Sequence, residues 1–172
     1  MNAIVLIGPP GSGKTTVGAL LARRLGVDHL DIDAVIESRT GRTIPDIFVQ
    51  DGEVAFRALE REETLRALGA AGGVLSLGGG AVMQEEIAQA LRGGDDRVVF
   101  LDVSIADASR RVGFDASRPL LLVNPRASWT RLMNARRPTY EGLSTFVVDT
   151  AGRAPDEIVD DVMARLGEGA LS

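Results

Sequence analysis

Eight residues near the start of the chain, Gly8-Pro9-Pro10-Gly11-Ser12-Gly13-Lys14-Thr15, have the types and spacing that suit anionic oxygens. They read G-x-x-x-x-G-K-[ST], the P-loop pattern. Glycines let the backbone turn tightly with successive N–H groups pointing inward, a nest for phosphate. A helix opening near Lys14 adds unpaired N–H groups and the positive end of its dipole. Lys14 has the reach for β- and γ-phosphates, and the Thr15 hydroxyl can coordinate Mg²⁺. Lys14 is also the only lysine among 19 basic residues. A chain that uses arginine everywhere else places its single flexible ammonium where this loop needs one.

A second group follows from Asp31 and Asp33, at the carboxyl end of an expected strand, where open α/β sheets place their ligands. Two residues apart in extended chain, they would project the same way, one toward a metal and one toward an acceptor. The competing reading is an acidic helix start, since aspartate is a good N-cap. Gly78-Gly79-Gly80 also follows a strand and would let a ligand approach the main chain closely. No aspartate ends that third strand, so the acidic role beside the phosphates falls to Asp31. Arginines cluster in the second half, mostly as solvated faces. Arg118 stands apart in a stretch without periodicity, residues 113–124, long enough to be a lid that delivers a cation on closure. His29, Trp129 and Tyr140 read as structural residues.

The elements that position these groups alternate between strand and helix along the whole chain. Strands are expected over residues 3–7, 27–32, 73–77, 97–102 and 145–149, mostly as continuous apolar runs. Helices are expected from Lys14, then over 34–40, 44–51, 53–68, 84–91, and from Ser104 to about Val112 with a capping box to Asp107. A further helix over 127–137 should stop at Pro138, and a last one should open at Pro155 and end before Gly167. Such alternation describes an α/β fold with a parallel sheet covered by helices on both faces. The whole chain, residues 1–172, reads as one domain without repeats or linkers.

Composition narrows the class. A net charge of −5 argues against a general nucleic-acid binder, which needs a strong basic field. The absence of cysteine excludes disulfides and thiolate metal sites. No apolar run is long enough to cross a membrane, and strand and loop already occupy the N-terminus, so a cytoplasmic location is expected. A monomer is the expected state.

Taken in order, Gly8 to Thr15, Leu30-Asp31-Ile32-Asp33, Asp51-Gly52-Glu53 with Phe56-Arg57, Leu77-Gly78-Gly79-Gly80, Arg118-Pro119-Leu120 and Arg136-Arg137-Pro138-Thr139-Tyr140 resemble the shikimate kinase family. The family's usual Arg-x-Pro-Leu-Tyr carries Thr139 here in place of leucine. The resemblance implies a five-stranded parallel sheet of order 2-3-1-4-5, a shikimate-binding region over about residues 33–60 and a lid over about 113–124. It implies ATP as phosphoryl donor, transfer to the 3-hydroxyl of shikimate, and Mg²⁺ held by Thr15 and Asp31. Asp33 would stand at the acceptor hydroxyl, Arg57 and Arg136 at the carboxylate, and Gly78, Gly79 and Gly80 along the ring. Gly11, Ser12, Gly13, Lys14, Thr15 and Thr16 would contact the nucleotide phosphates, with Arg118 closing on the γ-phosphate. Arg110 and Pro155 would bracket adenine, with Arg153 nearby. Two other readings compete: a related gluconate-kinase-like enzyme, and a nucleotide-binding module without catalysis.

Overall fold

The computed structural model describes residues 2–70, 72–112 and 124–169. Arg118 and the rest of the expected lid up to residue 123 lie outside the described residues. Five strands form one parallel sheet: β1 (Ile4–Ile7), β2 (His29–Asp31), β3 (Val74–Ser76), β4 (Arg97–Asp102) and β5 (Phe146–Asp149). Their order is β2-β3-β1-β4-β5, with Leu6 level with Ser76 on one side and Val99 on the other. The order expected from the family resemblance is therefore the one observed.

Strand periodicity of two divides the core. Val5, Ile7, Val98 and Phe100 point to one face, while Leu6, Val99 and Leu101 point to the other. Two helices, α1 (Lys14–Leu25) and α8 (Pro155–Gly169), cover the second face with Val17, Leu21, Ile158, Val159 and Val162. The first face carries α2 (Ile32–Thr40), α3 (Ile44–Asp51), α4 (Glu53–Gly69), α5 (Glu85–Gly93) and, beyond α6 (Ile105–Val112), α7 (Pro125–Leu143). A 3-10 turn at Ala81–Met83 joins the glycine segment to α5. Strands buried on both faces have no polar side, which explains their unbroken apolar sequence.

Several boundaries differ from the sequence expectation. Helix α7 runs through Pro138 to Leu143 instead of stopping at the proline. Proline removes one ladder hydrogen bond and normally ends a helix. Here its ring lies on the exposed side, while Trp129, Met133, Arg136 and Tyr140 form a buried stripe at helical spacing on the other. Packing of that stripe outweighs the lost bond. Helix α8 likewise passes Gly167 to reach Gly169, where Arg97 donates to the Gly169 carbonyl at 3.0 Å. Ser104 caps α6 through the Asp107 N–H, as expected, but the Asp107 carboxylate reaches across to the Gly152 N–H at 2.8 Å.

Candidate active site

The phosphate loop leaves β1 and enters α1 through three glycines of positive φ, Gly8, Gly11 and Gly13. Gly8 has no room for a side chain, since a Cβ would stand 2.6 Å from the Leu101 carbonyl oxygen. Gly13, at φ 89°, opens α1 without a side-chain cap, and no acidic residue occupies the first turn. The helix thus offers uncapped N–H groups and its positive end, an arrangement that suits an anion. Lys14 folds back over the loop, its Nζ donating to the Gly8 and Pro9 carbonyls at 2.8 and 3.0 Å. From the other side Arg111 donates to the Gly11 carbonyl at 3.1 Å, placing a second cation against the loop.

Across the cavity, Asp31 serves two purposes. Its Oδ1 caps α2 through the Ala34 N–H at 3.2 Å, and its Oδ2 accepts from the Thr15 hydroxyl at 2.5 Å. The expectation that both aspartates lie in extended chain is corrected here. Capping by Asp31 lets α2 start at once, so Asp33 sits in the first helical turn, where a carboxylate suits the dipole. The helix-start reading therefore holds, with Asp31 as the cap, and the same carboxylate stands beside Thr15 at the cavity. A cavity of about 400 Å³ is lined by residues that include Lys14, Thr15, Asp31, Asp33 and Gly79.

Behind the loop, Ser76 ends β3. Its hydroxyl donates to the Lys14 carbonyl at 2.9 Å, which uses its single hydrogen. His29 Nε2, 2.9 Å from Ser76 Oγ, is therefore the donor in that pair. Gly18 makes the arrangement possible, because a Cβ there would lie 2.5 Å from the His29 ring. Burial lowers the His29 pKa below its ordinary 6.5, and the Asp31 charge only partly offsets this. The unfolded chain therefore binds the proton more readily than the fold does. Stability is complete above the unfolded value and declines as pH falls through it toward the folded value. Tm should drop between pH 7.5 and 5.5, and drop less in His29→Gln, which keeps a donor but does not titrate; equal slopes would remove His29 as the cause.

At the other end of the cavity the three glycines are each closely approached by a charged side chain. A Cβ on Gly78 would stand 2.4 Å from Glu60 Oε2, and one on Gly80 2.6 Å from Arg57 Nη2. On Gly79 it would lie 3.1 Å from Pro10 Cδ and 3.3 Å from Arg136 Nη1. Arg57 from α4 and Arg136 from α7, far apart in sequence, thus flank adjacent glycines. Arg57 is fixed by fully buried Glu60 at 2.6 Å, and Gln84 donates to both the Arg57 carbonyl and Glu60 at 3.0 and 3.1 Å. Trp129 donates to the Pro10 carbonyl at 3.3 Å, so α7 also touches the phosphate loop.

Of the residues singled out from sequence, Gly11, Gly13, Lys14, Thr15, Thr16, Asp31, Asp33, Gly78 and Gly79 line this same cavity. Ser12 lies buried beneath the loop, and Gly80, Arg57 and Arg136 adjoin the cavity through the glycine contacts. Arg110 points to solvent and pairs with Asp107. Arg153 ties the Asp149 and Glu157 carbonyls to Asp161, and Pro155 begins α8. These three do not line the cavity. Sequence reasoning missed Arg111, Glu60 and Gln84. Helical phase could have found Arg111, three residues beyond fully buried Ala108 on α6.

Comparison with known proteins gives one consistent result. A family profile described as shikimate kinase matches residues 10–167. The shikimate kinase of Thermobifida fusca is 54% identical over 94% of this chain and 93% of its own length. That of Salinispora arenicola is 51% identical over 94% of this chain and 96% of its own. Among solved structures, a shikimate kinase from Acinetobacter baumannii in complex with shikimate superposes with a TM-score of 0.95 at 35% identity, covering 100% of this chain and 96% of that one.

Proposed function

The chain belongs to the shikimate kinase family, and we propose that it transfers the γ-phosphoryl of ATP to the 3-hydroxyl of shikimate with the residues described above. The observation that carries this reading is the convergence of Arg57 and Arg136 on Gly79 and Gly80 beside a phosphate loop. Two guanidinium groups at the rim of a cavity suit an acceptor with a carboxylate on a compact ring. A polyol acid of extended shape, such as gluconate, has less need of that geometry.

Phosphoryl transfer asks the protein for positioning and charge stabilisation rather than covalent chemistry. The α1 amides and Lys14 hold the donor phosphates. Asp33, on the opposite wall, accepts a hydrogen bond from the acceptor hydroxyl and takes its proton as the new O–P bond forms. The bond from the γ-phosphorus to the bridging oxygen breaks, and ADP leaves with that electron pair. Arg118 supplies a further cation to the γ-phosphate. Thr15 and Asp31 suit Mg²⁺, which takes hard oxygen donors and is usually held by one or two carboxylates together with phosphates and water. The ion would neutralise charge on the β- and γ-oxygens.

Replacing Asp31 by Asn removes charge but keeps shape. The Mg²⁺ concentration for half-maximal rate should rise about 10-fold or more, and an unchanged requirement would remove Asp31 from the metal site. The function itself is tested by ADP release with shikimate, with gluconate and with no acceptor. ADP release that depends on shikimate supports the reading, and equal release with gluconate overturns the assigned acceptor. The acidic net charge supports a partner set limited to small molecules. No helix among the described residues is long and apolar enough to cross a membrane. A monomer in the cytoplasm is the expected setting.

A further inference from the structure

Tyr140 is the only tyrosine in the chain and is fully buried. Its ring stacks on Phe100 with centroids 5.0 Å apart, a packing duty phenylalanine would perform equally well. The hydroxyl is therefore the feature to explain, because burying it costs free energy unless it is bonded. It donates to the Gly79 carbonyl at 2.5 Å. That carbonyl belongs to the middle of three consecutive glycines, the stretch of main chain least restrained by its own side chains.

We propose that the Tyr140 hydroxyl is a positioning group for the acceptor, locking the Gly79–Gly80 peptide plane beside Arg136. The inference rests on the acceptor reading given above. A trans peptide is planar, so fixing the Gly79 carbonyl toward Tyr140 also fixes the Gly80 N–H pointing away from it. Pro10 and Arg136 press on Gly79 from other directions, and Tyr140 supplies the directional contact that stops the peptide from turning over. Arg136 precedes Tyr140 by one helical turn and so shares its face of α7. This is possible only because α7 continues through Pro138. Burial raises the Tyr140 pKa, and the nearby Arg136 and Arg57 do not reverse it, so the phenol keeps its proton to donate.

The test is Tyr140→Phe, which keeps the ring and its stack. KM for shikimate should rise about 10-fold, the worth of one hydrogen bond to a buried acceptor, while KM for ATP stays within about 2-fold of wild type. A purely structural hydroxyl would lower Tm and move both constants together or neither. Should the variant not fold, 3-fluorotyrosine incorporation labels residue 140 alone. Its single ¹⁹F resonance should shift on saturation with shikimate. Wild-type turnover without shikimate dependence would defeat the acceptor reading itself. Shikimate-dependent wild-type turnover with an unchanged KM in Tyr140→Phe, or an unmoved resonance in the labelled protein, would defeat the positioning role alone.

Discussion

Lys14→Met should abolish phosphoryl transfer, with ADP release in the presence of shikimate expected to fall by at least about 10²- to 10³-fold, as when one preorganised charge donor is removed. Methionine matches the stem of lysine closely, so the loop backbone can persist while the ammonium is lost. In the protein that ammonium is held over the loop by the Gly8 and Pro9 carbonyls, 2.8 and 3.0 Å away. The two carbonyls, with the Ser12 hydroxyl 3.4 Å away, orient the ammonium at the mouth of the loop, where negative charge would develop on a bound phosphate. Among the described residues Arg111 also touches the loop, and it does so at the Gly11 carbonyl on the far side. Lys14→Arg should not restore the rate, because a planar fork cannot replace a compact point charge inside a tight nest. Steady-state kinetics with both variants decide the matter. Turnover within a few-fold of wild type in Lys14→Met would show that the ammonium does not act on the moving phosphoryl group.

The parts of this molecule legible in the sequence are those set by local rules. The P-loop announces itself because its glycines, lysine and threonine must sit at fixed offsets between a strand and a helix. Most of the five strands were readable because they are apolar runs closed by turn residues, whereas β2, His29–Asp31, is short and polar at both ends. Asp33 was located but its backbone was misread, since a side-chain cap by Asp31 is energetically as local as strand propensity and won over it. Pro138 misled for the opposite reason. Its local preference to end a helix is real, yet the buried stripe through Tyr140 is a tertiary effect that no window of sequence displays. Arg110 and Arg111 are adjacent and chemically identical, and only the phase of α6 turns the second toward the loop. Glu60 and Gln84 were invisible as site residues because their role is to hold Arg57, not to bear a motif. A residue that acts through another is recognised only when the fold has brought them together.

Arg57 and Arg136 illustrate that point and carry the second large effect. Nothing local links residue 57 on α4 with residue 136 on α7, yet both guanidinium groups press on the same short glycine segment. Arg136 is buried, and Arg57 is held by Glu60, so their charges are only partly screened by solvent. A charge-assisted hydrogen bond is worth about 1.5–3 kcal/mol, so removing either arginine should cost about 10- to 150-fold in kcat/KM for shikimate. Arg57→Lys should also be clearly impaired although charge is kept. Lysine cannot present parallel N–H groups to a carboxylate and cannot at the same time satisfy Glu60. ATP affinity should change little, because both guanidinium groups lie against the glycine segment at the other end of the cavity. The methyl ester of shikimate gives the sharper comparison. It keeps the ring and hydroxyls but removes the negative charge, so it should be a poor substrate for the wild type. In the Arg57 and Arg136 variants, which have already lost part of the clamp, the ratio of acid to ester should shrink. Equal wild-type kcat/KM for acid and ester would mean that these arginines do not grip a carboxylate, and the identity of the acceptor would then have to be sought among uncharged or differently shaped alcohols.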